Sequence, residues 1–321
     1  MKMENLLNDN CTFNEVLDIW LNEKKDDDDI KIQSCQRYES LIDSYVKDTL
    51  GKVESKEIKR DEIVEFFKRG KISEMSVSVK KSVFGIIKSA LEIAYSQNVC
   101  AYVDLRKVKF KNRKNDIIVF TRREQRKIDE YLLEELNVRK LVLLICMYTG
   151  IRVGEASGLK WGDIDFSKKS IRIDRTIQRI KNPDKDSFKK TTLIASTPKS
   201  DSSSRVVPLP DFIIPLLKKL KSNDDYYILS ESEKLYDPRL LESFYERTLE
   251  KCKIEHLKFH TLRHTFATRS IESGMDPKTL SELLGHSSVE ITLKLYVHPT
   301  YDMKKKSIEK ATKFVKKPRY A

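Results

Sequence analysis

The 321-residue chain carries 62 Lys and Arg against 49 Asp and Glu, and the excess is lopsided: residues 1–120 hold 22 basic and 21 acidic side chains, the remainder 40 and 28. A chain of this length forms about two domains with ordinary cores, and a basic second part suits a polyanion, most simply nucleic acid, because each neutralised phosphate releases counterions. Five scattered cysteines without a C-x-x-C pair argue against a disulfide framework or a cysteine zinc site. With no run of eighteen apolar residues and no leader pattern in "MKMENLLNDNC", the expected setting is cytoplasmic, without a membrane partner.

The first hundred residues predict short amphipathic helices. Phe13, Val16, Leu17, Trp20 and Leu21 recur at helical spacing, as do Val79, Val83, Ile86, Ile87, Ala90, Leu91 and Ala94. "RYESLIDSYV" and "DEIVEFFKRG" between them are also helical in pattern, and "KKDDDD" reads as a solvated loop. The basic stretch Leu105–Asp116, "LRKVKFKNRKND", has little apolar periodicity and reads as a linker; Arg106, Lys107, Lys109, Lys111, Arg113 and Lys114 are its candidates for phosphate contacts.

A second domain opens on Thr121 and Glu124 at capping-box spacing, followed by the helical runs "RKIDEYLLEEL" and "VRKLVLLICMYTG", the latter ended by Gly150. "SIRIDRTIQRI" at 170–180 predicts a strand and "SSRVVPLP" at 203–210 a short return strand, with a polar connection from Lys181 to Ser196 that is long for a hairpin. Helical pattern then resumes to the end of the chain.

All five histidines (His256, His260, His264, His286 and His298) lie in the last quarter. His256, His260 and His264 at spacing four would share a helix face, but a zinc site there is weak: no H-E-x-x-H glutamate or cysteine accompanies them, and Lys258 and Arg263 add positive charge. A helix starting near Thr261 instead puts His260 and Arg263 on one side of its first turn, where backbone N–H groups favour an anion. His264 is then read as an ordinary helical residue.

The surrounding motifs turn this weak pair into a pattern. "TGIRVGEASGLKWGDID" (149–165), "TPKSDSSSRVVPLP" (197–210), "HTLRHTFAT" (260–268) and "LLGHSSVEITLKLYVH" (283–298) stand in the order of the boxes of the tyrosine recombinases, the phage-integrase type of site-specific recombinase, which this sequence resembles. Thr261 departs from the family's frequent Asp. Trp161 is read as core packing.

The resemblance implies a mostly α, two-domain fold: an all-α, SAM-like core-binding helical bundle over residues 1–112, a basic linker at 113–118, an α+β catalytic domain with a small antiparallel sheet at 119–301, and a tail at 302–321. In that tail Ile308, Ala311, Phe314 and Val315 form an apolar stripe expected to dock on a neighbouring protomer. The helices begin near residue 13, so the chain reads as a simple recombinase or one shortened by an arm-binding domain.

Residue by residue, the resemblance gives Tyr296 as nucleophile and Arg152 and Arg263 as binders of the phosphate oxygens. It gives His260 and His286 as hydrogen-bond donors, Lys199 as the acid for the departing 5′ oxygen, and Glu155 as a supporting carboxylate behind Arg152 or His260. Fixed arginine charge and a phosphotyrosyl ester that conserves bond energy imply no metal, ATP or other cofactor. The implied partners are double-stranded DNA with specific sites, three further copies in a homo-tetramer on two such sites, and an accessory DNA-bending or excision factor. Phage or mobile-element integration and excision is the expected role, with chromosome or plasmid dimer resolution as the alternative. A type IB topoisomerase and a non-catalytic DNA-binding relative are the rivals.

Overall fold

The computed structural model describes residues 7–8, 10–111, 117–184, 187–196 and 204–296, with positions 305, 308, 309 and 312. The chain divides into two compact units, Met1–Asn115 and Asp116–Ala321.

Among the described residues, the named elements of the first unit are all helices. Helix α1 (Phe13–Asp26) begins where Glu15 accepts hydrogen bonds from the Thr12 backbone and hydroxyl, and α2 (Ile32–Leu41) runs on into a π-helical turn at Ile42–Val46. Two short helices, α3 (Arg60–Phe66) and α4 (Gly70–Ser73), precede the long α5 (Val77–Ser96), whose start is capped by Ser76. The stripe Phe13, Val16, Leu17, Trp20 and Leu21 of α1 and the stripe Val83, Ile86, Ile87, Ala90, Leu91 and Ala94 of α5 are buried in one core. Each large aliphatic side chain there contributes about 1.5–3 kcal/mol by leaving water.

The expected linker is less free than its composition suggests. Leu105 is buried, and Val108 and Phe110 pack against the same core, Phe110 edge-on to Phe67 with ring centroids 4.9 Å apart. Only three apolar residues are needed to pin an otherwise basic segment, too few to register as a period.

In the second unit α6 (Arg122–Leu133) starts on the expected capping box: Thr121 accepts from the Glu124 amide, and Glu124 accepts from the Thr121 amide at 2.8 Å. Helix α7 (Val138–Thr149) is buried along nearly its whole length and ends at Gly150, φ +67°. Glycine is required there twice over, for the left-handed turn and because a Cβ would lie 2.6 Å from the Phe266 ring. The short α8 (Val153–Ser157) follows at once.

The stretch 170–180 is two strands rather than one. Strand β1 (Ile164–Asp165) pairs with β2 (Ser170–Ile173), while β3 (Thr176–Lys181) pairs antiparallel with β4 (Thr191–Ser196) in a separate sheet. The break falls at Asp174 and Arg175, where Arg175 turns to ion-pair with buried Asp163. Residues 191–196, read from the sequence as connection, are the second arm of a hairpin; their Thr-rich, half-exposed surface hides the alternation. Strand β5 (Arg205–Pro208) returns to β2, giving the order β1-β2-β5.

Five further helices follow among the described residues: α9 (Ile213–Leu220), α10 (Pro238–Lys251), α11 (His260–Glu272), α12 (Pro277–Leu284) and α13 (Val289–Tyr296). Asp276 caps α12 through the Lys278 and Thr279 amides, and Gly285, φ +64°, ends it. Trp161 is fully buried in the main core. Among the described residues, no helix is long and apolar enough to cross a membrane.

Candidate active site

Two arginines from distant sequence are each held by the carbonyl of a helix-ending glycine. Arg263, in the first turn of α11, donates from Nη1 to Gly150 O at 2.9 Å; Arg152, just ahead of α8, donates from Nη2 to Gly285 O at 3.1 Å. The left-handed turns at Gly150 and Gly285 thus turn carbonyls toward guanidinium groups that would otherwise repel one another. Arg263 is 2% exposed, and its Nη2 is buried with no partner among the described residues.

Behind them Glu155 joins two arginines. Its carboxylate accepts from Arg152 Nη1 and the Arg152 amide, each at 2.8 Å, and from Arg205 Nη1 and Nη2 at 3.1 and 2.9 Å. Arg205 also donates to Leu283 O at 2.7 Å, linking β5 to the end of α12. Burial alone would raise the Glu155 carboxyl, but the hydrogen bonds and charge of Arg205, with that of Arg152, hold it below its ordinary value. Glu155 therefore supports Arg152, one of the two partners expected for it. Arg205 was missed, although it stands at the start of a quoted strand as a lone charge ahead of β-branched residues.

Tyr296, at the end of α13, is 7% exposed and packs beside Leu280, Leu284 and Ala267. Its hydroxyl lies 2.8 Å from Nδ1 of His264, and its ring is stacked parallel to that of His286, centroids 6.5 Å apart. His286 Nδ1 is fixed by buried Thr292 at 2.7 Å. Burial raises the phenol above its usual value even though Arg263 and Arg152 pull the other way. Burial, His264 and the two arginines bring His260 down to about 4, and burial with the positive charges does the same for His286. Both imidazoles are neutral at pH 7.

The structure corrects the reading of His264 as an ordinary helical residue. One turn beyond His260, its ring meets that of His260 edge to face at 4.6 Å and reaches Tyr296. The signal was the same-face spacing of four among His256, His260 and His264. His256, by contrast, points to Glu246 at 3.3 Å on the surface, so the three histidines do not converge. Among the described residues no group of three or more His, Cys, Asp or Glu side chains is placed to hold a metal ion.

Arg152, Glu155, His260, Arg263, His286 and Tyr296 are thus brought to one region of the second unit. A cavity of about 490 Å³ lined by Arg152, His260, Arg263, Lys258 and Tyr245 opens on its arginine side. Lys199, His298 and Tyr301 lie outside the described residues, as do Arg113, Lys114 and, in the tail, Ala311, Phe314 and Val315. Of the other basic candidates, Lys107, Lys109 and Lys111 are exposed, while Arg106 is engaged by both oxygens of Asp104 at 2.9 Å. Chemically, the region offers fixed positive charge, neutral imidazole donors and a phenol: a cradle for a tetrahedral anion beside a nucleophile.

Residues 119–303 match the Phage integrase family, and residues 12–69 match the N-terminal SAM-like domain of phage integrases. The chain is 37% identical over 213 residues to a "Tyrosine recombinase XerC-like" protein of Caldanaerobacter subterraneus subsp. tengcongensis, covering 60% of this chain and 54% of the relative. It is 29% identical over 180 residues to the "Transposase from transposon Tn916" of Enterococcus faecalis, covering 50% and 42%. The chain therefore spans about half the length of these curated relatives. In fold it resembles the Tn1549 transposon integrase in complex with transposon right end DNA, with a TM-score of 0.77 at 19% identity over 94% of this chain and 99% of the other. A lambda integrase tetramer bound to a Holliday junction gives a TM-score of 0.66 at 17% identity, over 91% and 80%. With its helical first unit and its helix-and-hairpin second unit matched in turn, the chain belongs to the phage integrase family of tyrosine recombinases.

Proposed function

We propose that this protein is a site-specific DNA recombinase that cuts and rejoins strands through a 3′-phosphotyrosyl ester on Tyr296. The observation that carries the reading is the buried Nη2 of Arg263, beside Arg152 and without a partner among the described residues. A buried guanidinium N–H without an acceptor is costly, and a nonbridging phosphate oxygen would satisfy it while separating two like charges.

In this reading Arg152 and Arg263 bind the nonbridging oxygens, whose charge grows in the pentacoordinate transition state, and neutral His260 and His286 add hydrogen bonds. Glu155 and Arg205 hold Arg152 in position. Tyr296 attacks phosphorus, the 5′ oxygen leaves with a proton from Lys199, and the ester keeps the bond energy for rejoining. Because the arginines carry permanent charge, cleavage is expected to persist in EDTA.

The partner is duplex DNA bearing specific sites, engaged by four copies on two sites. The expected setting is integration and excision of a mobile element, supported by the similarity to transposon proteins; the similarity to XerC-like proteins favours dimer resolution as the second reading. Repeats flanking the gene that serve as substrates would decide between them.

A suicide duplex nicked beside the cleavage point tests the chemistry, since an active enzyme accumulates a covalent adduct on it. The acid is tested with a 5′-phosphorothiolate substrate, whose sulfur leaving group needs no proton. Lys199→Ala should recover most of its rate on that substrate and Arg263→Ala should not; equal defects would remove Lys199 from the acid role.

A further inference from the structure

The recombinase reading leaves one proton without a destination. Tyr296 is buried and its phenol is raised above its ordinary value, so at neutral pH it enters the reaction protonated. An attacking phenol must lose that proton as its bond to phosphorus forms.

Among the described residues three imidazoles stand nearby, and their geometry separates them. The His286 ring lies parallel to the phenol within 5° but with centroids 6.5 Å apart, and its Nδ1 is engaged by Thr292, so that nitrogen is not bonded to the hydroxyl. His260 is one helical turn before His264 and meets the edge of that ring. His264 alone of the three has a ring nitrogen in hydrogen-bond contact with Tyr296 Oη, at 2.8 Å.

We propose that His264 is the proton acceptor for Tyr296 during strand cleavage and the proton donor to it during rejoining, an inference that rests on the recombinase reading of the site. With the ring proton on Nε2, the Nδ1 lone pair accepts the phenol O–H. As the Oη–P bond forms and the P–O5′ bond breaks, the Oη proton passes to Nδ1 and O5′ takes a proton from Lys199. In the reverse direction the 5′ hydroxyl returns its proton to Lys199, the P–O5′ bond reforms, and the departing Tyr296 phenolate takes the proton back from His264.

The surroundings suit a transient imidazolium. His264 is partly buried; burial and the Arg263 charge hold it neutral at rest. Among the described residues, the charged and titratable groups around the pair are Arg263 and His260 on α11, Arg152 ahead of α8, and His286 beside the phenol ring. A bound phosphate among them offsets the positive charge gained when His264 takes the proton.

The test measures adduct formation on the nicked duplex. His264→Ala is expected to slow it by about 10²-fold, the usual size of a general-base contribution, with DNA binding and thermal unfolding close to wild type. A fluorinated tyrosine of lower phenol pKa at position 296 should restore most of that rate, as should added imidazole. His264→Gln, which keeps a hydrogen-bonding group but takes no proton, should be as slow as His264→Ala and equally rescued, and it serves as the test if the alanine variant does not fold. A fully active variant, or a defect that neither the fluorinated phenol nor imidazole relieves, overturns the assignment. Absence of adduct with the wild-type protein would instead sink the recombinase reading itself.

Discussion

The two units bury very different things. Among the described residues, Ser55 is the buried polar side chain of the first unit, whereas the second buries thirteen, four of them charged: Lys140, Glu155, Asp163 and Arg263. The first is held by apolar stripes meeting in one core. The second sets ionic groups into its core, and each must be paired or leave a cost. Lys140 is answered by the carbonyls of Tyr131 and Glu134, and Asp163 by Arg175, so both close on protein. Glu155 closes on Arg152 and Arg205, whereas Arg263 closes only in part on protein among the described residues, and it lies in the cluster containing Tyr296. Buried charge that protein alone leaves incompletely satisfied is what distinguishes a site from a scaffold here.

Breaking the network on its carboxylate side should give the largest effect. Glu155→Ala strips Arg205 of its buried partner, and loss of one member of such a pair costs about 3–5 kcal/mol. Chemical denaturation should register that loss, and adduct formation should fall with it because Arg152 loses its support. Phe13→Ala in the first unit is expected to cost a similar 3–5 kcal/mol by opening a cavity. The comparison predicts a different signature: single-turnover cleavage by the folded, DNA-saturated variant should stay near wild type.

Next in size are the arginines. Arg152→Ala or Arg263→Ala should slow cleavage by about 10²–10³-fold, as expected for losing one preorganised transition-state donor. Single-turnover rates at saturating DNA measure it. Stability should drop less for Arg263→Ala than for Glu155→Ala, since removing Arg263 also removes a group that lacks a full set of partners.

The smallest effect is on pH. His260 and His286 are brought to about 4, below the ordinary 6.5, so between those values the unfolded chain binds more protons than the folded one. Stability therefore rises with pH across that window and is lost as pH falls from 6.5 toward 4. Glu155 adds to the same limb, because its lowered carboxyl contributes above its ordinary value of 4.5 and loses that contribution as pH falls through the folded one. Thermal midpoints measured from pH 7 to 4 should show a decline that becomes shallower in His286→Gln. Solvent at the edges of both imidazoles keeps the effect small.

Much of this was legible in residue order. The apolar stripes of α1 and α5, the Thr121–Glu124 capping box and the Gly150 stop are local features, and local physics decides them. The motif residues Arg152, His260, Arg263, His286 and Tyr296 could be picked out by resemblance, though their meeting point could not. What remained hidden depends on contacts across long separations. Arg205 acquires its meaning from Glu155, fifty residues earlier, and β4 from the strand it pairs with. His264 looked like helix filling because the partner that defines it is thirty-two residues away on another helix.

The central claim is that the arginine-lined cradle serves the Tyr296 hydroxyl. Trapping the covalent adduct on a nicked duplex, digesting it, and identifying the peptide that carries the DNA tests this most directly. The account predicts that the 3′-phosphate is esterified to Tyr296 and that Tyr296→Phe forms no adduct while binding DNA within a few-fold of wild type. An adduct on Tyr301 or any other residue, or one that persists in Tyr296→Phe, would contradict it.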